Sequence, residues 1–285
     1  MTASAANPDT PPRVSHGKRV VVAWIVLSVI TTPIVALVLG PSLPPGKGSS
    51  QAAEQVFDNT WLTATSTPII CLLLVFFVYA LTQFRHRGGE LVDGPPLRND
   101  ARIQVWWMAI TSATVLMLAS FGTYELLQTG SGGGQGPKAL VTPKGPKMEV
   151  QVIAQQWEFT YRYPAYGGVE TPTLVLPADT LVEFHVTSLD AIHSFWAYQL
   201  GVKADANPGV DNIAFVQTRG PRSFVVRCAE LCGLWHGYMY NYGRVVPTSQ
   251  FASWIKGQRA AYAPVAKYLP KYSTTYFPDP QRRGG

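Results

Sequence analysis

The sequence predicts N-terminal transmembrane α-helices followed by an all-β sandwich or barrel. Three observations carry that prediction. Apolar blocks at 19–40, 60–84 and 104–127 hold few charges, and each has the roughly 20 residues needed to cross a hydrocarbon core of about 30 Å. The 285 residues are 47% hydrophobic and only 14% charged, against about 25% charged in an ordinary soluble protein. After a Gly-rich stretch at 130–136 the pattern turns to short β-branched runs of period two divided by Pro, Gly and Asp, as in a sandwich or barrel.

In chain order, residues 1–18 form a cytoplasmic N-terminal segment and 19–40 the first helix. A secretory signal peptide competes for that block. Its apolar run is longer than the roughly 7–15 residues of a signal core, and no Ala-x-Ala site or lipobox cysteine follows. It therefore reads as a retained helix. The second helix is expected at 60–84, a cytoplasmic loop at 85–103 and the third helix at 104–127. Arg13, Lys18 and Arg19 precede the first helix, and Arg85, Arg87, Arg98 and Arg102 follow the second, while the segment between the first two has only Lys47. Positive residues stay inside, so the N-terminus is cytoplasmic and everything after about Gln128 is extracytoplasmic. The chain thus reads as a multi-pass protein of the bacterial cell membrane, in contact with the lipid bilayer. Cys71 reads as a small core residue without a partner, and His16 and His86 as solvated side chains.

A flexible linker occupies 128–146, the β domain 147–257 and a Pro- and Tyr-rich tail 258–285. Strands are expected at Glu149–Ile153, Leu174–Leu176, Thr180–Val186, Ala214–Val216 and Ser223–Val226, with a closing helix at Phe251–Ala260. Gln156–Tyr163 alternates aromatic and polar side chains as a half-buried strand does, with Phe159 and Tyr161 inward. His185 shows no sign of being a ligand.

Between Cys228 and Met239 the chain reads Cys-Ala-Glu-Leu-Cys-Gly-Leu-Trp-His-Gly-Tyr-Met. Thiolate and thioether select copper or zinc over hard cations, and neutral imidazole suits either. A zinc site built from one loop wants only Cys and His; the added Met points to copper. A mononuclear blue-copper site needs one Cys and two His, so the second Cys makes sense if both thiolates bridge a pair of copper ions. The competing reading is a disulfide, the usual fate of a Cys pair outside the cytoplasm, beside a core Met and a surface His. His193, in Asp190-Ala191-Ile192-His193-Ser194-Phe195-Trp196, lies 35 positions before Cys228 and supplies an imidazole the loop lacks.

Taken together, Asp190 to Trp196, Lys203 to Gly209 and Cys228 to Met239 make the chain resemble subunit II of haem-copper cytochrome c oxidases, from about residue 55 to about 257. The resemblance implies a cupredoxin-like β domain carrying the dinuclear copper centre CuA. It implies Cys228 and Cys232 as bridging thiolates, His193 and His236 as imidazole ligands, Met239 as a weak thioether ligand and the Glu230 carbonyl as a further ligand. It also implies a magnesium ion at the subunit I boundary, touched by the Glu230 side chain, and Trp157 as the exposed residue that takes the electron from cytochrome c. The implied activity belongs to the complex: subunit I and other oxidase subunits reduce oxygen to water, and this chain has no oxygen site.

Two positions depart from the family pattern. Gln104 stands three residues before Trp107, where a proton-collecting Glu is common; Glu90, Asp93 and Asp100 are the acids that could replace it. The segment after Asp205 reads Ala-Asn-Pro-Gly-Val-Asp-Asn, which alters contacts toward the catalytic subunit. From Gln128 onward there are 15 Lys and Arg against 10 Asp and Glu, predicting an acidic or membrane-tethered cytochrome c, or one within a larger respiratory assembly. There is no Cys-x-x-Cys-His for a c-type haem and no nucleic-acid motif. Rival readings are the copper subunit of a nitric oxide reductase of the same superfamily and a membrane-anchored copper carrier.

Overall fold

The computed structural model describes residues 15–85, 88, 100–129, 139 and 141–266. Arg13, His86, Arg87, Glu90, Asp93, Arg98, the Gly-rich stretch 130–136 and most of the tail lie outside them. The chain divides into two compact units, residues 1–43 with 57–96 and residues 44–56 with 97–285.

In the first unit, α1 (His16–Ile34) is capped by Ser15, whose hydroxyl accepts from the Lys18 N–H at 3.4 Å. It continues through a π turn at Val35–Leu39 and a 3-10 turn at Gly40–Ser42. Its partner α2 (Ser50–Gln83) runs antiparallel to it. His16 meets the Tyr79 hydroxyl at 2.8 Å near one end, and Gly40 lies against Thr60 near the other. A Cβ at Gly40 would sit 2.3 Å from Thr60 Cγ2, so this approach requires glycine. Between these ends the Trp24 indole N–H donates to the Pro68 carbonyl at 2.8 Å, and Thr31 Oγ1 lies 3.2 Å from Cys71 Sγ. Small and polar side chains join helices where lipid removes the hydrophobic drive. Cys71 and His16 therefore have partners, contrary to the expectation from sequence, because a helix hairpin brings together residues some 40 and 63 positions apart.

The second unit opens with Pro44–Val56, expected as a plain connector between helices. Ser49 Oγ caps α2 through the Ala52 N–H at 2.9 Å and donates to the Leu200 carbonyl at 2.6 Å. Gln55 donates to the Gly201 carbonyl at 2.6 Å, and Gln51 accepts the Gln217 N–H at 2.9 Å. Gly201, at φ +64°, leaves only 2.8 Å between a hypothetical Cβ and Ala52 Cα. The first two turns of α2 are thus bolted to the β domain. Helix α3 (Ala101–Thr129) starts at Asp100, whose carboxylate accepts the Arg102 N–H at 2.9 Å; Asp100 works as a cap there, one turn before Gln104.

The β domain has ten strands: β1 (Met148–Gln155), β2 (Glu158–Tyr163), β3 (Val169–Thr171), β4 (Val175–Pro177), β5 (Leu181–Ser188), β6 (His193–Ala197), β7 (Val202–Ala206), β8 (Asn212–Gln217), β9 (Arg222–Cys228) and β10 (Tyr240–Val246). They form two sheets, ordered β3-β2-β1-β5-β8 and β4-β10-β9-β6-β7. The fold is therefore three apolar helices followed by a β-sandwich, as the hydropathy and period-two patterns predicted. Inward side chains interleave between the sheets. Phe195 sits among Phe184, Phe159 and Tyr161 with ring centroids 5.1, 6.1 and 6.4 Å away, separations at which edge and tilted aromatic pairs attract. The buried Tyr161 hydroxyl is satisfied by Asn241 at 2.8 Å and that of Tyr163 by the Val175 backbone. Helix α4 (Thr248–Ala266) closes one edge, packing Phe251 and Trp254 on Tyr163. One expectation fails here: Gln156 and Trp157 do not belong to a strand but make the turn of the β1–β2 hairpin.

On the outer face of β5, His185 bonds Asp211 at 2.8 Å. Burial alone would lower its pKa, but the Asp211 hydrogen bond and the charges of Asp211, Glu149 and Glu183 outweigh it and raise the pKa above 6.5. A raised folded pKa adds stability that is fully present below the unfolded value and is lost as pH rises through the folded one. The thermal midpoint of the chain is therefore expected to fall as pH climbs past 6.5, and to fall less in His185→Gln. Equal pH slopes for parent and variant would refute this role.

Candidate metal centre

Strand pairing sets the positions. Phe195 on β6 pairs with Cys228 on β9, so His193, two residues before Phe195, stands where β9 ends and the ligand-rich loop begins. The loop 229–239 is closed at its base: the Cys228 N–H donates to the Met239 carbonyl and the Ala229 N–H to the Ser194 carbonyl, both at 3.0 Å. A 3-10 turn at His236–Tyr238 folds the second half back. Gly233 adopts φ +113°, and a Cβ there would meet the Gln156 amide at 3.1 Å; both conditions demand glycine.

The folding of the loop gathers the donor atoms. One ligand atom each from His193, Cys228 and Cys232 lies within 4.8 Å of the others, and all three residues are buried. The two Sγ atoms are 3.7 Å apart, far beyond the roughly 2.05 Å of a disulfide, and both cysteines are free; the disulfide reading is overturned. His193 Nδ1 lies 3.8 Å from Cys228 Sγ and 3.1 Å from Met239 Sδ. His236 Nδ1 is 3.5 Å from Cys232 Sγ, Met239 Sδ is 3.7 Å from the same sulfur, and the Glu230 carbonyl is 3.2 Å from Cys228 Sγ. All six positions singled out from the sequence therefore converge on one spot. Met239 is buried, His236 half-buried and the Glu230 side chain exposed.

Two neighbours that sequence reasoning left without a role orient these groups. Asp190 Oδ1 lies 2.9 Å from His193 Nε2, which turns Nδ1 toward the sulfurs; carboxylate partners of this kind fix ring orientation and tautomer in metal sites. Asp190 also accepts the backbone N–H of Gln156 at 2.7 Å and of Ala191 at 2.6 Å. Burial pushes its pKa up, yet the hydrogen bonds from Gln156, His193 and Ala191 hold it below the usual carboxylate range. Gln156 in turn donates to the Cys232 carbonyl at 2.8 Å. The signal for Asp190 was its place three residues before His193 in an otherwise apolar stretch. Gln156 carries no such signal. Trp157 donates its indole N–H to the same carbonyl at 3.2 Å and packs half-buried against the core, not fully exposed as expected. Burial, followed by the adjacent Cys228 thiol, pushes the Cys232 thiol up to about 12, so a metal binding there must displace protons.

The family profile described as cytochrome C oxidase subunit II, periplasmic domain, matches residues 169–245, a span that contains all six converging positions. The β domain belongs to the cytochrome c oxidase subunit II family. The chain is 27% identical to cytochrome c oxidase subunit 2 of Synechocystis sp. over 90% of its own length and 89% of that protein. It is 24% identical to cytochrome c oxidase subunit 2 of Thermostichus vulcanus over 86% and 88%. Among solved structures, the periplasmic domain of subunit II of cytochrome oxidase of Bradyrhizobium japonicum is 29% identical, with 43% of this chain and 99% of that one covered at a TM-score of 0.41. As a subunit II, the chain is of the copper-binding kind, its sandwich is cupredoxin-like, and it is a membrane protein with an extracytoplasmic domain.

Proposed function

We propose that this chain is the electron-receiving subunit of a proton-pumping terminal oxidase in a bacterial plasma membrane. It takes single electrons from cytochrome c at a CuA centre and passes them to the haem of subunit I, where oxygen becomes water. The observation that carries the reading is the convergence of two thiols, two imidazoles, a thioether and a carbonyl on one buried spot. That donor set fits a copper pair: soft sulfur and imidazole suit copper, and two sulfurs 3.7 Å apart stand close enough to be shared by both ions.

Cys228 and Cys232 would bridge, and His193, His236, Met239 and the Glu230 carbonyl would complete the two coordination shells. A copper pair so held supplies a one-electron redox couple. The chain's own residues keep the site rigid and dry. Asp190 holds the His193 ring, the Cys228–Met239 backbone bond closes the loop, and the sandwich buries both sulfurs. Trp157 is bonded to the Cys232 carbonyl, so an electron arriving at its ring has one hydrogen bond to cross before a ligand residue. The exposed Glu230 carboxylate is free to meet a magnesium ion at the subunit I boundary.

A copper carrier must release its cargo, and ligands buried in the sandwich beneath a closed loop oppose that. A nitric oxide reductase subunit would use the same site. The deciding measurement is metal content and electron paramagnetic resonance on the full-length chain purified with its membrane partners. Two coppers per chain, with hyperfine splitting from both nuclei, are expected. One copper with a mononuclear spectrum would sink the proposal.

A further inference from the structure

Beside Trp157 the edge of the sandwich opens into a groove of about 580 Å³, lined among others by Glu158, Tyr240, Tyr242 and Arg244. Tyr240 and Tyr242 are 46% and 65% exposed. On the neighbouring strand Arg227 pairs with Tyr240 and holds its guanidinium 5.8 Å from that ring. Arg227 and Arg244 are both exposed, and among the described residues neither has a carboxylate within 4.0 Å. Glu158 is the one carboxylate on the groove wall. Glu170, the other acid on this side, is already neutralised by Arg162 through contacts of 2.7 and 3.0 Å. Exposed aromatics beside uncompensated arginines have the composition of an interface.

We infer that this groove docks a one-electron donor protein whose surface around its redox group is acidic. The inference rests on the electron-receiving role proposed above and names the partner's chemistry. Charge complementarity commits the occupant. A donor with a basic ring of side chains would bring like charges onto Arg227 and Arg244, and like-charge juxtaposition suppresses binding. An acidic ring would find both cations unpaired and ready to steer the encounter. The aromatic floor would cover the redox group and exclude water, with Trp157 at its end contacting Cys232.

The test uses the purified oxidase and two soluble probes, an acidic and a basic cytochrome c. Both donor oxidation and equilibrium binding are measured as salt rises. The acidic probe is expected to have the lower KM, and its binding to weaken steeply with salt. Arg227→Glu and Arg244→Glu are each expected to raise its KM about tenfold with kcat unchanged, whereas Arg244→Lys stays near the parent and Glu158→Gln lowers KM. A basic probe with the lower KM, or an acidic probe whose KM and binding ignore both charge reversals, would overturn the inference. The copper resonance of the same samples separates the two readings. An intact resonance with unmoved KM sinks the docking surface alone. A missing resonance sinks the functional reading, and the binding constants, which need no electron transfer, still decide the surface.

Discussion

Replacing Cys228 or Cys232 with Ser is expected to abolish the delocalised copper signal and to drop the metal content from two ions per chain to one or none. The sulfurs are 3.7 Å apart with His193, His236 and Met239 around them, so removing either one strips both metals of a shared ligand. A serine hydroxyl is harder than a thiolate and cannot replace it for copper. The substitution is nearly isosteric, so the metal-free sandwich should keep its thermal midpoint. Met239→Leu is the contrast. Exchanging Met for Leu conserves volume and costs less than about 1.5 kcal/mol in a packed site, and the thioether is only a weak ligand. Copper is expected to stay bound with a shifted potential. A Cys228→Ser chain that retains two coppers and unchanged hyperfine structure would contradict the bridging assignment.

Trp157→Ala is expected to spare the resonance and slow donor oxidation. Truncating a central interface aromatic costs about 2 kcal/mol, which corresponds to about thirtyfold in kcat/KM. Removing the ring also deletes the hydrogen bond to the Cys232 carbonyl, which Gln156 still satisfies at 2.8 Å; the metal loop should therefore keep its shape. Trp157→Phe retains the aromatic surface without the N–H and is expected to fall between the two. Oxidation of cytochrome c by Trp157→Ala at the parent rate would show that the electron arrives elsewhere.

The sequence by itself determined what depends on residue type and short spacing. Three helices follow from apolar runs, because spanning lipid needs only length and few charges. The ligand set follows from Cys228-x-x-x-Cys232-x-x-x-His236-x-x-Met239, because a single loop must present those atoms within a few residues. Strands such as β5 were legible through β-branched alternation. By contrast, β7, reading Val-Lys-Ala-Asp-Ala, and β10, interrupted by Gly243, carry weak strand signals. They are strands because neighbours pair with them and because Gly243 yields to the Phe224 ring, 2.2 Å from a hypothetical Cβ.

Only the tertiary structure decided the rest. It separated free thiols from a disulfide, gave Asp190 its hold on His193, and turned Trp157 from a strand residue into a hairpin residue touching the ligand loop. It also anchored Ser49 and Gln55 to residues about 150 positions away and paired Glu170 with Arg162 while leaving Arg227 and Arg244 unpaired. The physical reason is common to all of these. Periodicity and ligand spacing are local properties of the chain, whereas hydrogen bonds and charge pairing depend on which distant segments the sheet register and helix packing bring into contact.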